Sequence, residues 1–181
     1  MVMAAKPCVF LDRDGVIVVP EFRDGRSFAP KTLESFHYFP AVHEMLSRLK
    51  ERGYWLVVVT NQPDVGNGLL SQSVVECMHE KMRIDLPIDH VEVCYHRQQD
   101  NCDCRKPRPG MLHRACQVLD IDMGRSVVIG DRSSDIELGK QFNLTTIFID
   151  HRYHETLKVS PDCICQNLSQ GVEFVLASRL S

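Results

Sequence analysis

Short apolar runs rich in β-branched residues recur along this chain, and stretches of helical periodicity separate them. The runs are Cys8–Leu11, Tyr54–Thr60, His90–Tyr95, Ser126–Gly130 and Thr145–Ile149. Runs of this length, bounded by polar residues, read as buried strands. Val42, Met45, Leu46 and Leu49 repeat at the spacing of one helix face, within a helix expected over Pro40–Arg52 with Gly53 as its C′ residue. Further helices are expected from Ser71 to about Arg83, from Pro109 with Met111, Leu112, Ala115, Cys116 and Leu119 on its apolar face, and over Ser134–Gln141. A short run at Cys163–Cys165 and a helix over Leu168–Leu180 close the pattern. Strands joined by single helices demand βαβ crossovers. The expected fold class is therefore α/β, a Rossmann-like doubly wound parallel sheet covered on both faces.

At 181 residues the chain is expected to form one domain, 1–181, burying about 70% of its unfolded surface without staples. A formal net charge of −3 gives no support for a nucleic-acid partner or a membrane-surface role. No apolar stretch approaches the ~18 residues of a membrane span. The opening MVMAAKPCVFLDRDG reaches charge by Asp12 without a full export-signal core, so the cytoplasm is the expected compartment. The eight cysteines are then read as thiols or metal ligands rather than a disulfide framework. A monomer is the default expectation.

In parallel sheets of this kind ligands bind beyond the carboxyl ends of the strands. The first strand exits into Asp12-Arg13-Asp14-Gly15 and the second into Thr60-Asn61-Gln62. The third leads through a cysteine-rich segment to Arg105-Lys106, and the fourth exits into Asp131, with Asp135 one helical turn on. Carboxylates gathered at one point repel one another unless a cation intervenes, and hard oxygen ligands select Mg²⁺. Thr60, loop N–H groups and Lys106 suit phosphate oxygens. A carboxylate aimed at phosphorus is a competent nucleophile, and one two residues on can serve as acid and base. Each acid taken singly also reads as a cap or turn residue; the repetition at successive strand exits favours the chemical reading.

Residues 94–110, CYHRQQDNCDCRKPRPG, hold Cys94, His96, Cys102 and Cys104. They read as unremarkable thiols, as a C-x-C redox pair, or as a closed Cys₃His site for Zn²⁺.

The order DxDG, (S/T)N, K and GDxxxD resembles the haloacid dehalogenase superfamily of phosphatases, at FLDRDGV, VVVTNQ, CRKPRPGM and VIGDRSSDI. The resemblance spans roughly Val9–Asp150. It implies Asp12 as nucleophile and Asp14 as general acid and base, with Mg²⁺ held by Asp12, the Asp14 backbone carbonyl and Asp131. Thr60 and Lys106 would bind the phosphoryl group, and Asp135 would orient Lys106 or the metal's water shell. The C-x-H…C-x-C-R-K-P segment further resembles the subgroup acting on heptose 1,7-bisphosphate and histidinol phosphate, most of all its heptose-bisphosphate branch. That implies a zinc-binding loop formed by Cys94, His96, Cys102 and Cys104. It also implies substrate contacts from Arg105 and Arg132, with Arg13, Asn61 and Gln62 of the motifs beside them. Two departures lie near the substrate: Asn67 stands where the family usually has an arginine, and CYHRQ replaces a CPHHP-like opening.

Neither Asp12–Thr60 nor Thr60–Lys106 leaves room for a folded cap. The site is expected to be capless, bordered by Val16–Phe39, Pro63–Leu70 and the zinc loop. Gly66-x-Gly68 lacks the third glycine of a dinucleotide fingerprint. His151 and His154 read as loop residues, while Cys8, Cys77 and Cys116 read as small hydrophobes. The rival readings are a histidinol-phosphate phosphatase and an inactive zinc-stabilised binding module.

Overall fold

In the computed structural model of the chain, residues 4–23 and 26–178 are described. The elements in chain order are β1 (Lys6–Leu11), β2 (Glu21–Arg23), β3 (Arg26–Phe28), α1 (Val42–Glu51), β4 (Trp55–Asn61), α2 (Pro63–Gly66) and α3 (Gln72–Asp85). They continue with β5 (His90–Cys94), α4 (Gly110–Val118), β6 (Ile121–Gly130), α5 (Ser133–Gln141), β7 (Thr145–Ile149), β8 (Cys163–Cys165) and α6 (Leu168–Ala177). Six strands form one sheet in the order β5-β4-β1-β6-β7-β8, every neighbouring pair parallel. The chain winds outward from β1 on one side and from β6 on the other. The direction of winding reverses between those two strands, which opens a crevice at their carboxyl ends.

Period-two alternation assigns each strand residue to a face. Val9, Leu11, Leu56, Val58, Ile129 and Ile147 pack with α1, α3 and α6 through Leu46, Leu49, Met78, Met82 and Val172. Cys8, Phe10, Val57, Val59 and Val128 point the other way and pack on α4 and α5 through Met111, Leu112 and Leu138. Both sheet faces are thus covered, which is why the strands read as continuous apolar runs.

The differences from the sequence reading have local causes. The Val16–Phe39 stretch, which shows no strand-like run in the sequence, carries a β2–β3 hairpin. Its strands are three residues each, too short to display an alternation. Pro63–Gly66 forms a single helical turn within the expected loop. Cys77 and Cys116 are exposed instead of packed on apolar faces. The expected last helix is observed to Ala177, and its final two residues lie outside the described residues. Among the described residues no helix is long and apolar enough to cross a membrane.

Arg13 also departs from expectation. Its side chain is fully buried beneath the crevice instead of facing a ligand. Nε and Nη2 donate to the two oxygens of Asp14 at 3.0 and 2.9 Å. Nη1 lies 3.0 Å from Nε2 of His79 on α3, and the Phe36 ring centroid is 5.5 Å from the guanidinium. A charge buried this deeply must be paired. Asp14 supplies the charge and His79 an acceptor, so α3 is tied to the loop after β1.

Burial, with the Arg13 charge second, pushes the His79 imidazole down to about 3. An unfolded histidine takes its proton near pH ~6.5. Between those values the unfolded chain binds the extra proton, so stability falls as pH drops below about 6.5. His79→Gln keeps an acceptor for Arg13 and removes this titration. Its melting temperature is expected to fall less steeply than the wild type's between about pH 7 and about pH 5. Parallel curves would exclude His79 as a source of acid sensitivity.

Candidate active site

The loops after β1, β4 and β6 converge where the winding reverses. Gly15, at φ +87°, lets the first loop turn, and a β-carbon there would lie 2.1 Å from Asp131 Oδ2. At Gly130 a β-carbon would lie 2.3 Å from the Asp135 side chain. The two motif glycines are therefore space for the two motif carboxylates. Asp135 is fully buried; its Oδ2 accepts from Arg132 N at 3.1 Å, capping α5, and its Oδ1 lies 2.6 Å from Lys106 Nζ. Lys106 Nζ also meets Asp12 Oδ1 at 2.9 Å and donates to the Val59 carbonyl at 2.7 Å.

Asp12, Asp131 and Asp135 each offer an oxygen within 4.8 Å of the others. All three are buried, and both Asp131 oxygens lack a hydrogen-bond partner among the described residues. Burial pushes the Asp12 carboxyl up to about 7 despite Lys106, and burial, with Asp12 and Asp135 adding to it, raises Asp131 well above the usual carboxylate range. Burial alone would lower the Lys106 ammonium, but Asp12 and Asp135 together hold it above its ordinary value. With Asp14 matched by Arg13, three carboxylates face one ammonium. The remaining two negative charges, and an unpartnered buried carboxylate, fit a hard divalent cation.

The second motif is a set of clamps. Asn61 accepts from Lys106 N at 3.1 Å and donates to its carbonyl at 3.4 Å, so this amide positions the lysine backbone instead of reaching for a ligand. Gln62 is buried and donates from Nε2 to Asp14 Oδ2 and Thr60 Oγ1, both at 2.8 Å. Its Oε1 has no partner among the described residues, and the residue lines the crevice. Thr60 is buried at the end of β4.

The cysteine segment folds back on the end of β5. Cys94 Sγ is 3.6 Å from His96 Nδ1 and 3.7 Å from Cys102 Sγ, and His96 Nδ1 is 3.2 Å from Cys104 Sγ. Tetrahedral ligands about 2.3 Å from an ion stand roughly 3.8 Å apart, so the four side chains suit one four-coordinate ion of zinc type. Burial pushes the Cys94 thiol up to about 12 and also raises Cys104. A bound cation would supply what their thiolates lack. No ligand atom in such a set is left open to a substrate.

Above the carboxylates lies a cleft of about 630 Å³, lined among others by Asp12, Asp14, Arg105, Lys106, Arg132 and Glu155. Among the described residues Arg105 Nη1 is buried without a partner. Arg132 Nη1 donates to Glu155 Oε2 at 3.2 Å, and its Nη2 donates to the Ser27 carbonyl at 3.2 Å and to the Ser27 hydroxyl. Tyr153, stacked on His151 and tilted against Phe22, faces the Arg132 guanidinium. His151 lies 2.6 Å from the Gly15 carbonyl, so the segment after β7 closes over the first motif loop. Sequence reasoning missed Glu155 and Tyr153. Reading the exit of the fifth predicted strand, Asp150–Glu155, as the earlier exits were read would have found them.

A family model described as HAD-hydrolase-like matches residues 103–170. The D-glycero-beta-D-manno-heptose-1,7-bisphosphate 7-phosphatase of Salmonella typhi is 34% identical over 152 residues, covering 77% of this chain and 78% of that one. The D-glycero-alpha-D-manno-heptose-1,7-bisphosphate 7-phosphatase of Mycobacterium tuberculosis is 37% identical over 140 residues, covering 72% and 70%. In fold, the chain matches the D,D-heptose 1,7-bisphosphate phosphatase of B. bronchiseptica, solved with magnesium and phosphate. The TM-score is 0.78 at 24% identity, covering 94% of this chain and 98% of that one. Four ordered motifs, a doubly wound sheet and this likeness across most of the chain give one conclusion: the protein belongs to the haloacid-dehalogenase-like phosphatases, in the family of the heptose-1,7-bisphosphate 7-phosphatases, enzymes that hydrolyse phosphate monoesters.

Proposed function

We propose that the protein hydrolyses D-glycero-D-manno-heptose 1,7-bisphosphate at C7, leaving the 1-phosphate, through a phosphoryl group carried on Asp12. The observation that carries this reading is the buried Asp12–Lys106–Asp135 cluster beside an unpartnered Asp131, open to a cleft with an unpaired arginine nitrogen. Asp12, the Asp14 backbone carbonyl and Asp131 would hold Mg²⁺, which supplies the positive charge that lets phosphate oxygens approach carboxylates.

Asp12 attacks phosphorus, and Asp14, turned from Arg13 and protonated from solvent before the attack, protonates the departing C7 oxygen. Asp14 then takes a proton from water, which attacks the phosphorus and releases inorganic phosphate and Asp12. Lys106 and Thr60 hold the phosphoryl oxygens, and Asp135 keeps Lys106 in place. Arg105 faces the retained C1 phosphate. Zn²⁺ on Cys94, His96, Cys102 and Cys104 acts as a clamp that fixes the Arg105-Lys106 pair immediately after it. The cleft residues choose the substrate without a cap, since among the described residues the Val16–Phe39 and Thr60–Lys106 segments hold only the β2–β3 hairpin, the end of β4, α2, α3, β5 and loops.

Named relatives act on the β and on the α anomer, so both belong in the substrate panel. With Mg²⁺ present, kcat/KM is expected to be highest for a heptose 1,7-bisphosphate anomer and much lower for histidinol phosphate and hexose monophosphates. Comparable turnover of histidinol phosphate would overturn the substrate assignment. Asp12→Asn is expected to lower phosphate release by about 10³-fold or more; unchanged release would overturn its role as nucleophile.

Zinc removal by a chelator, or Cys102→Ser, is expected to lower melting temperature and activity together, with zinc restoring both in the wild type. A metal-free preparation with an unchanged melting temperature would contradict the clamp.

A further inference from the structure

We propose that Glu155 is a specificity-determining residue that closes its part of the cleft to anions, so that a second phosphate on the substrate is read only at Arg105. This rests on the reading above that the substrate carries two phosphates. Both arginines line the cleft, but their surroundings differ. Glu155 Oε1 accepts from the Ser133 backbone N–H, the first residue of α5, at 2.7 Å. Its Oε2 accepts from Arg132 Nη1 at 3.2 Å. Nη2 is held by Ser27 of the hairpin, and the guanidinium lies 5.4 Å from the Tyr153 ring centroid.

A helix N-terminus beside a guanidinium is a natural anion site. In this chain a carboxylate of the chain itself fills it. Lys158 and Glu137 add a second balanced pair to the same lining. A second phosphate placed there would meet the Glu155 carboxylate, whereas sugar hydroxyls can bond to either member of a neutral pair. Arg105 forms no ion pair among the described residues, and its buried Nη1 is unpartnered. It also borders an adjoining recess with Gln98 and the cysteine loop, whose lining does not include Glu155.

The test compares substrates that differ only in the second phosphate: glucose 1,6-bisphosphate against glucose 6-phosphate, and heptose 1,7-bisphosphate against heptose 7-phosphate. Glu155→Gln is expected to raise the bisphosphate-to-monophosphate ratio of kcat/KM by about tenfold, through KM, because a charge-assisted phosphate contact at Arg132 becomes available. The gain should shrink with added salt and vanish in Glu155→Gln/Arg132→Ala. Arg105→Ala is expected to bring the ratio towards one, while Arg132→Ala leaves it undiminished.

An active Glu155→Gln enzyme with an unchanged ratio would overturn the proposal, as would an equal loss on all substrates. If that variant does not fold, the arginine variants decide, and a ratio lost in Arg132→Ala but kept in Arg105→Ala overturns it. Absence of turnover on the heptose bisphosphate would refute the substrate reading instead, with the glucose pair still reporting on Glu155.

Discussion

A single buried ammonium organises this protein. Lys106 Nζ stands within 3 Å of Asp12, Asp135 and the Val59 carbonyl, so two opposite charges and one acceptor surround it. Those acceptors come from the exit of β1, the first turn of α5 and the body of β4, so one side chain ties together three parts of the sheet edge. Charge sets the terms. One ammonium among three buried carboxylates leaves a negative pocket, and burial pushes Asp12 and Asp131 towards their neutral forms. A hard divalent cation would offset that charge and present its open positions to phosphate oxygens, so the cost of gathering the acids would become the basis of ligand selection.

What surrounds Lys106 serves to hold it. Asn61 binds both backbone polar groups of the residue, and the cysteine cluster ends one residue before Arg105. The cluster is anchored on the last residue of β5, whose carbonyl accepts from Gln62 N at 2.7 Å. Gln62 in turn steadies Asp14 and Thr60. The path from the metal-ligand set to the carboxylates is short and made of directional bonds. A closed ligand set with no open position would therefore influence chemistry through placement.

Much of this was legible in the sequence because a parallel sheet forces it. Buried strands appear as unbroken apolar runs, and the residue after each run must lie on one edge, so Asp12, Thr60 and Asp131 could be placed before any coordinates. Two kinds of information were hidden. Arg13 sits between two acids that face the cleft, yet its own side chain turns inward to His79, some 66 positions away in the chain. Pairings of that separation leave no periodic trace. The β2–β3 hairpin was also invisible as a site element, because its strands are too short for a pattern. The Asp150–Glu155 segment could be placed as a strand exit, but its Arg132–Glu155 contact depends on how a loop crosses another strand's exit. Arg105 and Arg132 look equivalent in the sequence, and only their partners distinguish them.

The account turns on Asp12 carrying the phosphoryl group. Its most direct test is acid-quenching the enzyme during turnover of the heptose bisphosphate, then mapping peptide masses. The expected result is one added phosphoryl group, labile to hydroxylamine, on the peptide containing Asp12. A phosphoryl group trapped on any other residue would contradict the account.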